Sequence, residues 1–400
     1  LKSIREKMDP KFAVLKGGLF DNFKRLEDRG VLLMGWADPF TPDPAIPEHI
    51  KEATVKAIME GNSHYTLPTG DFALREAIAK KLSDYNGLKV NPHKEIIVTP
   101  GSDTGLYYAM RPFIDPKKND EVLIPDPSYP SNFKNVELMG GIPVRVPLKE
   151  EKGYQLEVEE FSKRTTENTK MILLTNPNNP TTTVLDRKCL EELAAFAVEK
   201  DLVVVVDHAF EDIIYDDREF VTIASLEGMW ERTVTVFSIS KGMGLSGYRI
   251  GYNVACEEAM DVFYGGAVNI LGAANTAATA GAIAGFEDYS FIDEYKKIYD
   301  RRRKKAFEVF NSIPGVSCLM PESGFLAWVN ISRLGSSSEL AGYLAEDAMV
   351  GVNPGNEYGE RGEGFFRIVL GTFKEDGKFL HALDRIKASL TKLAMEKGIK

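Results

Sequence analysis

Seven short apolar runs bounded by turn residues fill the middle of the chain: EIIVTP (Glu95 to Pro100), EVLIPDP (Glu121 to Pro127), IPVRVPL (Ile142 to Leu148), KMILLTNP (Lys170 to Pro177), LVVVVDHAF (Leu202 to Phe210), TVTVFSI (Thr233 to Ile239) and RIGYNVA (Arg249 to Ala255). Helix-period segments such as Leu190 to Lys200 separate several of them. Strands alternating with helices predict an α/β fold, a mostly parallel mixed sheet sandwiched by helices. Such sheets take ligands outside the carboxyl ends of their strands, and the polar residues of this chain gather at those ends. A chain of 400 residues outgrows a single core, which stops growing near ~250–300 residues. A large and a smaller lobe are expected.

Composition narrows the partners. A net charge of -10 and a pI near 5.3 argue against nucleic acid or an anionic membrane, since both need a basic surface. Cys189, Cys256 and Cys318 lack CxxC spacing, and the five histidines form no HxxxH pair, so neither a disulfide framework nor a metal site is signalled. No 18-residue apolar run and no basic-then-apolar leader occur, so the expectation is a cytoplasmic protein acting on small molecules. The small-residue tract from Gly265 to Gly285 suits close packing or an interface.

The strand-like TVTVFSI delivers SISKGMGLSGYRIG, Ser238 to Gly251. Ser238, Ser240 and Lys241 emerge at its end, and Arg249 follows eight residues after the lysine through a glycine-rich turn. Hydroxyls and a permanent cation can hold one anion beside the lysine, so a phosphate-bearing carbonyl cofactor is plausible. After EIIVTP, GSDTGLYYAM (Gly101 to Met110) reads as a Gly/Ser turn opening a helix whose free amides can cup an anion. Asp103 stands awkwardly there, because a carboxylate repels a phosphate dianion unless it turns away. Asp207 closes a run of four valines, a carboxylate at a buried strand end.

Taken singly these are a solvated lysine, a capped helix and a strand-end aspartate. Their order along the chain resembles the fold type I pyridoxal phosphate enzymes of the class I/II aminotransferase family. Ser238, Ser240, Lys241, Gly247, Arg249 and Gly251 match that family's lysine motif. The resemblance implies a pyridoxal 5'-phosphate (PLP) cofactor held as a Schiff base by Lys241, with Gly101, Ser102, Asp103, Ser238, Ser240 and Arg249 at the phosphate. It further implies Tyr129 of PDPSYP stacking on the ring, Asn179 of TNPNNPT donating to the phenolate oxygen and Asp207 at the pyridine nitrogen. HYTLPTGDFALREAI (His64 to Ile78) places Tyr65 at the phosphate of a neighbouring subunit, implying a homodimer with shared active sites. VGVNPGNEYG (Val350 to Gly359) matches a further family motif, and the resemblance implies that Arg367 of FFRIVLG grips the substrate α-carboxylate and that Trp36 of LMGWADPF faces the substrate side chain.

Two positions depart from the family pattern. Phe210 stands where the family has a tyrosine, so the cofactor phenolate has one donor fewer unless Tyr215 or His208 compensates. Thr182 replaces a glycine. The resemblance implies a large domain at 45–285 and a small α+β domain from 1–44 and 286–400. It implies an aminotransferase moving an amino group between an L-amino acid and a 2-oxo acid by a ping-pong scheme. Carbon-sulfur β-lyase, decarboxylase and oxidase chemistry on the same scaffold, and a non-catalytic sensor, are the alternatives. No arginine lies in Gly265 to Thr276, where one branch of the family binds a side-chain carboxylate, and Trp36 suits a neutral or aromatic substrate.

Overall fold

All seven apolar runs join one seven-stranded sheet in the computed structural model, which describes residues 3–15 and 24–400. Across it stand Ile96–Thr99, Gly251–Val254, Thr233–Ser238, Val203–Asp207, Thr169–Thr175, Glu121–Asp126 and Ile142–Pro147. The last five pair in parallel, and Gly251–Val254 runs antiparallel to both its neighbours. The β-branched and aliphatic strands suit a sheet covered on both faces. Alternation along each strand divides them between two cores. Val204, Val206, Ile172 and Leu174 pack with the helix Arg187–Glu199, while Val205, Leu173, Val234 and Val236 face the helices Ser102–Met110, Pro130–Met139 and Glu257–Ile270.

The small-residue tract packs closely. A Cβ at Gly281, on the helix Thr276–Glu287, would run into the Thr54 hydroxyl and Tyr248, so the helix Glu48–Met59 lies directly on it.

A second, antiparallel sheet orders Asn353–Pro354, Phe365–Val369, Leu326–Asn330 and Ser317–Cys318. Phe310, Phe366, Ile368, Phe379 and Ile386 form its core with the helices Phe291–Asn311 and Asp376–Glu396. The segment before Gly35 is stitched to it: Leu32–Leu33 pairs with Val350–Gly351, Met34 N donates to Gly351 O at 2.8 Å, and Val369 N donates to Met34 O at 2.8 Å. Those bonds carry residues 35–38 to the face where Arg367 stands. Among the described residues no helix is long and apolar enough to cross a membrane, and no His, Cys, Asp and Glu cluster could hold a metal ion.

Candidate active site

Parallel register sets the level of the site. Thr175 pairs with Asp207 and Asp207 with Val236, while Ser238 and Thr99 both pair with Gly251, so the loops that follow leave one edge of the sheet together. Asp207 is 6% exposed and accepts one backbone hydrogen bond, from Ala209 N at 3.0 Å. Burial pushes its carboxyl up to about 7; the Ala209 amide and the Lys241 cation pull it down, and the Asp103 charge pushes it further up. A dry carboxylate with so few donors favours a protonated partner.

The Lys241 amine donates to Ala37 O at 2.5 Å. Burial brings its pKa down to about 8, the Arg367 cation adds to that, and Asp38, Asp103 and Asp207 oppose it. A lysine so placed supplies a neutral, nucleophilic amine near neutral pH. Beside it Ser238 Oγ accepts from Ser240 N at 3.1 Å, both serines being buried.

The helix Ser102–Met110 begins after Gly101, and no side chain bonds its first amides. Gly101 has φ +87°, and a Cβ on it would collide with the Arg249 guanidinium, so the cation lies against the turn. Arg249 is itself left-handed at φ 53° and donates through Nη1 to Ser246 O at 2.8 Å. A Cβ at Gly251 would crowd Ser102 N. Backbone amides and a guanidinium thus meet in a cradle that two glycines keep open, with the chemistry of an anion site. Asp103 accepts the Tyr129 hydroxyl at 3.0 Å. Burial and that carboxylate raise the Tyr129 phenol.

Arg367 bridges the two sheets. Its Nη1 donates to Asn179 Oδ1 at 3.0 Å, its Nη2 to Gly35 O at 2.7 Å and to Asn353 Oδ1 at 3.1 Å, and its guanidinium lies 5.0 Å from the Tyr358 ring centroid. Nε is buried with no hydrogen-bond partner among the described residues. An arginine is the one cation that could grip a carboxylate as a fork here. Sequence reasoning missed Gly35, Asn353 and Tyr358 as its supports, although the last two stand in VGVNPGNEYG.

Phe210 packs against Gly324 and edge-on to Phe325, 5.5 Å between centroids. Each candidate donor has a hydrogen-bond partner of its own. The Tyr215 hydroxyl donates to Gly324 O at 2.5 Å, and His208 Nδ1 pairs with Asn176 O at 2.5 Å while burial drives the imidazole down to about 3. Thr182 takes the left-handed conformation of the glycine it replaces, φ 65°, held by Thr182 N to Asn178 O at 2.8 Å and Ser323 Oγ to Thr182 O at 2.7 Å. Tyr65 is 96% exposed, away from the cradle's own contacts, and Trp36 is 51% exposed on the segment that meets Arg367.

Residues 33–386 match the family described as Aminotransferase class I and II. An aspartate aminotransferase of Pyrococcus abyssi is 38% identical, covering 93% of this chain and 94% of the relative. Aromatic-amino-acid aminotransferase 2 of Thermococcus litoralis is 36% identical over 93% and 94%. The crystal structure of an aromatic aminotransferase from Pyrococcus horikoshii superposes with a TM-score of 0.86 at 33% identity, covering 95% of this chain and 99% of that one.

Proposed function

The chain belongs to the class I and II aminotransferases, a PLP-dependent family that exchanges amino groups between amino acids and oxo acids, and on that premise we propose that Lys241 carries the cofactor and moves the proton. The dry, under-satisfied Asp207 carboxylate fits a protonated pyridine nitrogen, and the open amide cradle at Gly101, Ser102 and Arg249 fits a phosphate. Those observations support a PLP site built from these residues. When bound, PLP supplies a carbonyl carbon that takes up the amino group and a ring that accepts electrons.

Everything else falls to the chain. Asp207 would keep a proton on the ring nitrogen by accepting its hydrogen bond, and Tyr129 would cover one ring face. Asn179 donates through its amide to the ring oxygen while its Oδ1 takes Arg367 Nη1. Arg367 receives the α-carboxylate with its buried edge, orienting the Cα–H bond over Lys241. The Lys241 Nζ, neutral at little energetic cost, would take the proton from Cα and deliver it to the carbon that receives the amino group.

Trp36 and the two carboxylates Asp38 and Asp103 near Lys241 support a neutral or aromatic amino acid as the donor. Val55, Ile58, Met59, Tyr65, Leu67 and Phe72 are all exposed within one stretch of chain, which supports a homodimer with Tyr65 at the partner's phosphate. Two domains, 45–285 against 1–44 with 286–400, and a cytoplasmic location complete the reading; residues 1–2 and 16–23 of the small domain lie outside the described residues. The carrying observation is the buried Asp207 carboxylate, bonded by Ala209 N, at the same sheet edge from which the strand Thr233–Ser238 delivers Lys241.

A half-reaction tests it. Holoenzyme given one amino acid and no oxo acid is expected to lose its cofactor absorbance band with one equivalent of oxo acid released, fastest with aromatic donors. Addition of a 2-oxo acid should restore the band. An unchanged band with every donor would overturn the assignment.

A further inference from the structure

Four residues beyond Asp207 the chain buries a charge that the chemistry above leaves unused. The Glu211 carboxylate accepts from Lys81 Nζ and from Asn86 Nδ2 at 2.5 Å, and its backbone carbonyl takes the Tyr85 hydroxyl at 2.6 Å. Asn86 Nδ2 also donates to Thr222 Oγ1 at 3.1 Å. Lys81, Tyr85 and Asn86 lie at the end of the helix Phe72–Tyr85. Lys81 is buried like Glu211, and its ammonium stands 5.1 Å from the ring centroid of Phe237, the strand residue before Ser238. Desolvating both ions offsets most of their attraction, so the pair by itself adds little to the stability of the fold. What a fully bonded buried pair supplies is a single allowed arrangement.

That arrangement reaches Lys241. The pair pins residues 207–211 to the helix, and the next residue, Asp212, lies against Gly242: a Cβ at Gly242 would strike Oδ2, Cγ and Cβ of Asp212. Gly242 adopts no positive φ, so what it needs from glycine is room for that side chain.

We propose that Lys81, Glu211 and Asp212 are positioning residues for Lys241, the ion pair fixing the loop that leaves Asp207 and Asp212 seating the backbone that follows the lysine. The amine and the carboxylate it works beside then ride on one buried block. This rests on Lys241 being the cofactor-bearing amine.

Two holoenzymes test the proposal beside the parent. Asp212→Gly, at a half-buried loop position, removes the seat; Lys81→Met with Glu211→Leu replaces the pair by apolar side chains. In each, kcat is expected to fall about tenfold or more, since a misplacement on the order of 1 Å costs up to ~100-fold. KM should stay within about twofold because Arg367 is untouched, and the visible circular dichroism of the bound cofactor should change. The double variant should melt somewhat lower than the parent, because buried Asn86 loses its Lys81 donor and its Glu211 acceptor. Parental kcat and parental dichroism in either folded variant overturn the proposal, because a merely structural pair would shift only the melt. Borohydride labelling of the parent separates the two readings: a label away from Lys241 strikes the site assignment, whereas a label on Lys241 with unaffected variants strikes this inference alone.

Discussion

The Tyr129 hydroxyl donates to Asp103 Oδ1 at 3.0 Å, tying the aromatic after the strand Glu121–Asp126 to the second residue of the helix whose amides form the anion cradle. A carboxylate that would repel a phosphate is thereby given a partner of its own. Asp103→Asn keeps an acceptor for Tyr129 and removes the charge, so apoenzyme is expected to bind PLP about fivefold more tightly, the equivalent of ~1 kcal/mol. Tyr129→Phe frees the carboxylate and should weaken binding by about tenfold. Absorbance titration of apoenzyme measures both, and weaker binding in Asp103→Asn would refute the argument.

Arg367 is held by Asn179, Gly35 and Asn353 at 3.1 Å or less. A lysine there keeps the charge and loses the fork. Arg367→Lys is expected to lower kcat/KM for the amino donor about 100-fold or more, ~3 kcal/mol, mostly through KM. A change under about threefold would show that the substrate carboxylate binds elsewhere.

Asp207 links folding to pH in the apoprotein. Its folded pKa, about 7, lies above the usual 3.8, so between those values the folded chain holds a proton that the unfolded chain releases. Stability from this group therefore falls as pH rises through that window, by on the order of 4 kcal/mol in all. His208 acts oppositely, its folded pKa of about 3 lying below 6.5, so its contribution rises with pH from 3 to 6.5 and masks part of the fall. Asp207→Asn is expected to raise the apoprotein melting midpoint at pH 8 while leaving it near the parent at pH 4. An equal difference at both pH values would contradict the buried carboxylate.

Thr182 holds a conformation that costs a β-branched residue about 1–2 kcal/mol. Its backbone bonds to Asn178 and Ser323 survive in glycine, while the buried side chain and its weak acceptor for Glu322 N at 3.3 Å are lost. Thr182→Gly is expected to leave the unfolding free energy within about 1 kcal/mol of the parent in denaturant titration, strain relief offsetting the lost burial. A loss of more than about 2 kcal/mol would mean that the side chain outweighs the strain.

The sheet was legible because strands covered on both faces are written in apolar residues, as in VVVVD, and the polar residue closing each run marks the working edge. Lys241 and Asp207 could be read that way. Arg367 could be identified but its setting could not, since Gly35 and Asn353 meet it from opposite ends of the chain. Lys81 and Glu211 lie 130 residues apart, and neither carries a local signal of pairing. His208 and Tyr215 are candidate donors for the position Phe210 leaves empty, and only the fold shows His208 Nδ1 engaged with Asn176 and the Tyr215 hydroxyl with Gly324. Reaction class is legible in the residues only through the family resemblance, because one scaffold serves several PLP chemistries; the similarity to aspartate and aromatic aminotransferases bears it out.

Borohydride reduction of the holoenzyme, followed by peptide mass analysis, bears most directly on the whole account. The expected result is one pyridoxyl phosphate adduct per chain, on the peptide containing Lys241, with Lys241→Ala unlabelled and at least about 1,000-fold slower in aminotransfer. A labelled lysine elsewhere, or undiminished turnover in Lys241→Ala, would contradict it.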